Sequence, residues 1–109
     1  MVTNFLHNLH NLDGNILTQT FIEINNHTYL VSTIDLKFNI SSNYNIPPQY
    51  YETKIFSVGE EDIYYNDPMF LDRYSSADEA IDSHNNILKC LKNGSLKMQK
   101  GFFEFIFTA

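Results

Sequence analysis

Ser76 and Glu79, three residues apart and followed by apolar residues at helical spacing, fix one element of this chain before any other. A serine hydroxyl at a helix start accepts a free backbone N–H one turn on, and a glutamate at that position reaches back to the serine. Ala77, Ala80, Ile81, His84, Ile87, Leu88 and Leu91 then recur at i, i+3, i+4, i+7, i+10, i+11 and i+14, one face of a 3.6-residue helix. Asn93-Gly94 supplies the left-handed residue that ends such a helix. The spacing predicts a helix over 77–92, roughly 24 Å long at ~1.5 Å per residue. Its other face is polar, so the apolar stripe must be covered by the rest of the chain.

That remainder alternates with period two. Phe21 to Ile24 reads as a strand, Asn25-Asn26-His27 as a tight turn and Thr28 to Phe38 as a longer strand. In the longer strand Leu30, Ile34, Leu36 and Phe38 share one face, interrupted by Ser32, and that face is expected to be core. Tyr29, Val31, Thr33, Asp35 and Lys37 form the other, amphiphilic face. Asn39 to Pro48 is loop chemistry, and Pro47-Pro48 excludes a helix or a central strand there. Tyr50 to Val58 is the next strand, antiparallel to the one before. Gly59 opens a turn with Glu60-Glu61-Asp62, which lacks the alternating acids of a calcium loop. Ile63 to Tyr65 reads as a short strand, and Met69 to Tyr74 leads into the helix. Phe102 to Phe107 is apolar on nearly both faces and is expected either in the sheet centre or against a second subunit.

At the other end, Phe5, Leu6, Leu9 and Leu12 with Thr3 as cap and Asp13-Gly14 as stop predict a short docking helix within 1–15. His7, His10 and Asp13 lie on its adjacent turns, a spacing that suits a metal but that no further His or Cys reinforces. They are read as surface residues, and neither a metal nor a cofactor is expected. The whole points to one α+β domain over 1–109: an antiparallel sheet of about four to five strands packed by one main helix, with a short N-terminal helix.

Charge limits the choice of partners. Thirteen acids against seven basic residues give a net charge of −6 with no basic cluster, so direct DNA binding is not expected. The single cysteine, Cys90, cannot form an internal disulfide, which suits a reducing cytoplasm. No run of ~20 apolar residues suggests a membrane span, and no basic and apolar leader suggests secretion.

Three blocks in the middle of the chain carry a resemblance. Val31-Ser32-Thr33-Ile34-Asp35-Leu36 is followed by Pro47-Pro48 and then Tyr51-Glu52-Thr53-Lys54-Ile55-Phe56. The third block runs Arg73-Tyr74-Ser75-Ser76-Ala77-Asp78-Glu79-Ala80-Ile81-Asp82-Ser83-His84. In order and spacing, from about Glu23 to Leu91, they resemble a family of small proteins common in tailed bacteriophages and prophages. Its members read roughly I/V-S-T-V-W/F-L-G-L-D-H, then L-I/L-F-E-T-M-V-F, then R-Y-x-S/T-x-x-E-A-x-x-G-H. Where the family has Asp-His after the first strand this chain has Asn39-Ile40, and Ser83 replaces the glycine before the helix histidine. Any chemistry of that Asp-His pair is therefore not carried over. The resemblance implies a phage accessory protein acting in the host cytoplasm, without an enzymatic activity.

The residues themselves agree with a non-enzyme. Asp35, Thr33, Glu52, His84 and Ser32 are the candidates for catalysis, yet no G-x-S-x-G elbow, P-loop or H-E-x-x-H occurs. His84 lies in the apolar stripe and reads as a core histidine. Arg73, the only arginine, immediately precedes the helix. Beside free helix N–H groups its fork suits a phosphate or carboxylate; a salt bridge to Asp72, Glu52 or a first-turn acid is the structural alternative. Tyrosines offer stacking faces and lysines phosphate contacts. The expected ligand-binding set is Arg73, Tyr74, Ser75, Lys54, Lys37 and Tyr51. The function expected is sequestration of a host nucleotide-derived immune signal by a homo-oligomer, with direct binding of a host defence protein as the alternative and degradation of such a signal as a third.

Overall fold

The computed structural model describes residues 15–41, 45–97 and 106–107, with Lys97, Ile106 and Phe107 described by backbone alone. Strands β1 (Ile16–Ile24), β2 (His27–Asp35), β3 (Tyr51–Val58) and β4 (Phe70–Tyr74) form one antiparallel sheet in that spatial order. Helix α1 (Ala77–Asn93) lies across it and touches all four strands. A two-residue ladder, β5 (Leu96–Lys97) with β6 (Ile106–Phe107), follows the helix. The fold is thus α+β, a four-stranded sheet packed by one main helix. The predicted N-terminal helix, with His7, His10 and Asp13, lies outside the described residues, and so does most of the Phe-rich segment.

Local chemistry accounts for the joints. The β1–β2 turn closes on Ile24 and His27 with Asn25 and Asn26 between them, at φ 52° and 65°. Both central residues of this type I′ geometry need positive φ, which asparagine tolerates better than other side chains. Ser76 caps α1 by accepting from the Glu79 N–H at 3.2 Å, while the Glu79 carboxylate takes the N–H of Ser75 at 3.0 Å rather than that of Ser76. The predicted reciprocal pair therefore forms one residue displaced. At the far end Gly94 has φ 75°, its N–H donates to Leu91 and that of Ser95 to Cys90, the double bond pattern of a left-handed stop.

One expectation about faces is corrected. The helix packs on the Tyr29–Val31–Thr33 side of β2, the face read as amphiphilic, and not on the Leu30 side. Its main core joins Ile22, Val31, Ile55 and Phe70 from the sheet to Ile87, Cys90, Leu91 and Leu96. Leu30 instead anchors a second, smaller core with Phe56, Val58 and Ile63 on the outer face, where Tyr65 packs edge-on against Phe56. The chain after β3 doubles back to make this cover. Ile63 bridges Val58, the Gly59 N–H donates to the Asp62 carbonyl, and the Tyr64 N–H donates to the Ser57 carbonyl. Ile63 is therefore a single bridge and not a short strand. The middle of β2 is buried on both sides, which is why its alternation does not reveal the helix face.

The helix is also rotated slightly from its predicted stripe. Cys90 is buried, whereas Ile81 is 40% exposed. The buried positions Ala80, His84, Ile87 and Leu91, at i, i+4, i+7 and i+11, leave Ile81 at the margin.

Candidate functional site

Two polar groupings stand out, one on each face of the sheet. Beneath α1, the first spans β1 to β4. His84 is 1% exposed, and its imidazole is held between two threonines: Thr20 Oγ1 lies 3.0 Å from Nε2 and Thr33 Oγ1 lies 2.8 Å from Nδ1. Thr33 and Thr53 are cross-strand partners and share a hydrogen bond between hydroxyls. One proton order runs through the chain. If Nδ1 accepts from Thr33, then Thr33 accepts from Thr53 and Nε2 donates to Thr20; reversing the tautomer reverses every bond. Burial pushes the His84 imidazole below its ordinary range, so the ring is neutral in this setting. Tyr74 extends the row on β4. Its hydroxyl comes near those of Thr53 and Ser83 without meeting hydrogen-bond geometry with either, and is buried without a partner among the described residues. Burial, tempered by the Thr53 hydroxyl and reinforced by the charge of Asp72, pushes it up to about 12. Asp72 itself is raised, first by burial, while its hydrogen bond from the Arg73 N–H works against that shift.

The second grouping occupies the outer face. Ile34, Glu52 and Arg73 are aligned across β2, β3 and β4, and Ser32, Lys54 and Leu71 form the next row. Glu52 is 5% exposed, with Arg73 Nε at 3.0 Å from one oxygen and Lys54 Nζ at 3.6 Å from the other. Two cations face one carboxylate, so the cluster carries an excess positive charge within an acidic protein. The Arg73 fork meets Glu52 through Nε, and its two Nη groups have no hydrogen-bond partner among the described residues. Gln19 closes the far side of this face, donating to Ser32 Oγ at 2.8 Å.

The six sequence-predicted residues do not come together. Arg73 and Lys54 share the outer face. Strand alternation places Tyr74 and Tyr51 on the α1 side of the sheet. The Ser75 hydroxyl donates to the Pro48 carbonyl at 2.5 Å, tying the loop before β3 to the helix entrance. Lys37 is paired with Asp35 at 3.3 Å and sits at φ 67° in the turn after β2. Arg73 is not joined to the helix N-terminus: the strand pleat turns its side chain to the outer face, where the Glu52 salt bridge is realised. What the sequence missed is Thr20. It lies outside the three resembling blocks, and nothing in its surroundings marks it as the partner of a histidine sixty-four residues on.

Among the described residues no group of three or more His, Cys, Asp or Glu is placed to hold a metal ion. No described helix is long and apolar enough to cross a membrane. No protein-family model matches the chain, and neither a curated protein nor a solved structure does.

Proposed function

We propose that the protein is a non-enzymatic binder that sequesters an anionic, nucleotide-derived host signal, and that it does so as a phage accessory protein in the host cytoplasm. The observation that carries the reading is the Arg73–Glu52–Lys54 cluster. Its two cations share one buried carboxylate, and the Nη groups of Arg73 have no partner among the described residues, so a phosphate can be gripped by the fork and by Lys54. Ile34 and Leu71 flank the cluster and supply apolar contact for the uncharged part of such a ligand. The phage context rests on the three sequence blocks, one of which contains Glu52 and Lys54 and another Arg73. His84, the most chemically suggestive side chain, has both ring nitrogens occupied by threonines beneath the helix, which favours binding over catalysis.

A direct test is thermal stabilisation by cyclic dinucleotides and ADP-ribose derivatives, followed by mass spectrometry of the ligand released on denaturation. Stabilisation should grow with ligand concentration by mass action, the ligand should be released intact, and Arg73→Ala should abolish the shift. No shift with any phosphate-bearing nucleotide, or a shift unchanged in Arg73→Ala, would remove this site. A second reading, direct binding of a host defence protein, is favoured by one observation. Phe38, Ile46 and Tyr50 are 59%, 42% and 39% exposed on the segment joining β2 to β3, and exposed aromatic groups anchor protein interfaces. Co-purification of a host protein without any nucleotide shift supports that reading.

A further inference from the structure

The Thr20–His84–Thr33 clasp uses the one imidazole of the helix to join it to two strands, and that choice has a consequence for acid. On the sheet face under α1, the ionisable side chains are His27, Tyr29 and Asp35 on β2, Tyr51 on β3, and Asp72 and Tyr74 on β4; β1 presents none there. Asp35 is paired with Lys37, Asp72 accepts the Arg73 N–H, and His27 is bonded to Ser57. Within α1, the residues three and four positions from His84 are Ala80, Ile81, Ile87 and Leu88, none of them charged. Among the described residues, neither ring nitrogen of His84 meets a carboxylate.

We propose that this clasp is an acid-sensitive latch: on acidification His84 takes up a proton by leaving its place between Thr20 and Thr33, and α1 lifts from the sheet. Both threonine hydroxyls can accept, so protonation in place breaks no hydrogen bond. Its cost is a positive charge buried without a counter-ion. Burial already holds the imidazole below its ordinary range. The sign follows from linkage. The docked state binds the proton more weakly than the open state, whose imidazole titrates at about 6.5. Docking is therefore fully favourable above that pH and weakens as pH falls below it, by at most tenfold in its equilibrium constant per pH unit. Ile87, Cys90 and Leu91 lose their cover when the helix lifts, so opening exposes an apolar sheet face as well.

The test is an NMR titration of the His84 ring from pH 7.5 to 4.5, run beside urea midpoints of the wild type and His84→Gln over the same range. A neutral ring that persists below the ordinary imidazole range, with protonation and the change of the α1 amide signals appearing together, is the expected result. The wild type should also lose stability on acidification more steeply than His84→Gln. Contributions from Asp72, whose raised carboxyl acts with the opposite sign, are common to both proteins and cancel in the difference. A His84 ring that titrates at or above pH ~6.5 with α1 still docked, or equal slopes for the two proteins, overturns the proposal. If His84→Gln does not fold, the ring titration alone decides.

Discussion

Thr33→Val is the substitution that most sharply probes the interior of this protein. Valine keeps the shape and removes the hydroxyl that sits between His84 Nδ1 and Thr53 Oγ1. Thr33 is fully buried, so water cannot replace what is lost. Two partners are left wanting, one as a donor and one as an acceptor, at about 1–3 kcal/mol each when buried. The added methyl group returns about 0.8 kcal/mol of burial. Rotation of the Thr53 hydroxyl recovers part of the rest, leaving a net loss of about 2–3 kcal/mol. In a domain of this size that corresponds to a fall in Tm of about 8–20 °C. Thr53→Val is the comparison, because it removes only the hydroxyl–hydroxyl bond and leaves His84 clasped by Thr20 and Thr33; about 1 kcal/mol is expected. Urea denaturation of the three proteins measures both differences. A Thr33→Val protein within about 0.5 kcal/mol of wild type, the scatter of an inert surface change, would refute the view that this hydroxyl organises the helix–sheet contact. So would a loss no larger than that of Thr53→Val.

Ser76→Ala removes the hydroxyl that accepts the Glu79 N–H and should cost about 1 kcal/mol, measured by urea midpoint. Lys37 holds φ 67°, a region in which an ordinary side chain is strained by about 1–2 kcal/mol. Lys37→Gly should therefore leave stability unchanged or slightly raised despite the lost surface ion pair, whereas Lys37→Val should lower it. Glu52→Gln removes the carboxylate shared by Arg73 and Lys54. Both cations are about a third exposed and partly screened, so the stability cost is only about 1 kcal/mol. By the binding account, affinity for a phosphate-bearing nucleotide should rise in Glu52→Gln, and calorimetric titration checks it.

Much of the architecture can be read from the residues because several signals agree locally. The serine cap, the apolar spacing and Asn93-Gly94 all mark the same helix, which runs one residue beyond its expected end. Asn25-Asn26 marks a turn that needs positive φ. What alternation does not reveal is the helix-bearing face, because Leu30 and Val31 are both fully buried, each in its own core. The site was less legible for a related reason. Arg73, Tyr74 and Ser75 are adjacent in sequence, but the strand pleat sends Arg73 and Tyr74 to opposite faces, and the Ser75 hydroxyl is taken up by Pro48. Adjacency in a strand is a poor guide to a shared site. The Arg73–Glu52 pair was among the open alternatives. Its third member, Lys54, lies on the Glu52 face of β3 by alternation alone, and the register of β3 with β4 is what sets Arg73 beside them.

The most direct measurement is a titration of isotope-labelled protein with a cyclic dinucleotide or ADP-ribose, following the Arg73 side-chain Nε signal and the backbone amides by NMR. Binding on the outer face predicts saturable shifts at Arg73 Nε and at the amides of Ser32, Ile34, Glu52 and Lys54, lost in Arg73→Ala. Shifts confined to the helix entrance around Ser75 and Ser76, or none at saturating ligand, would contradict it.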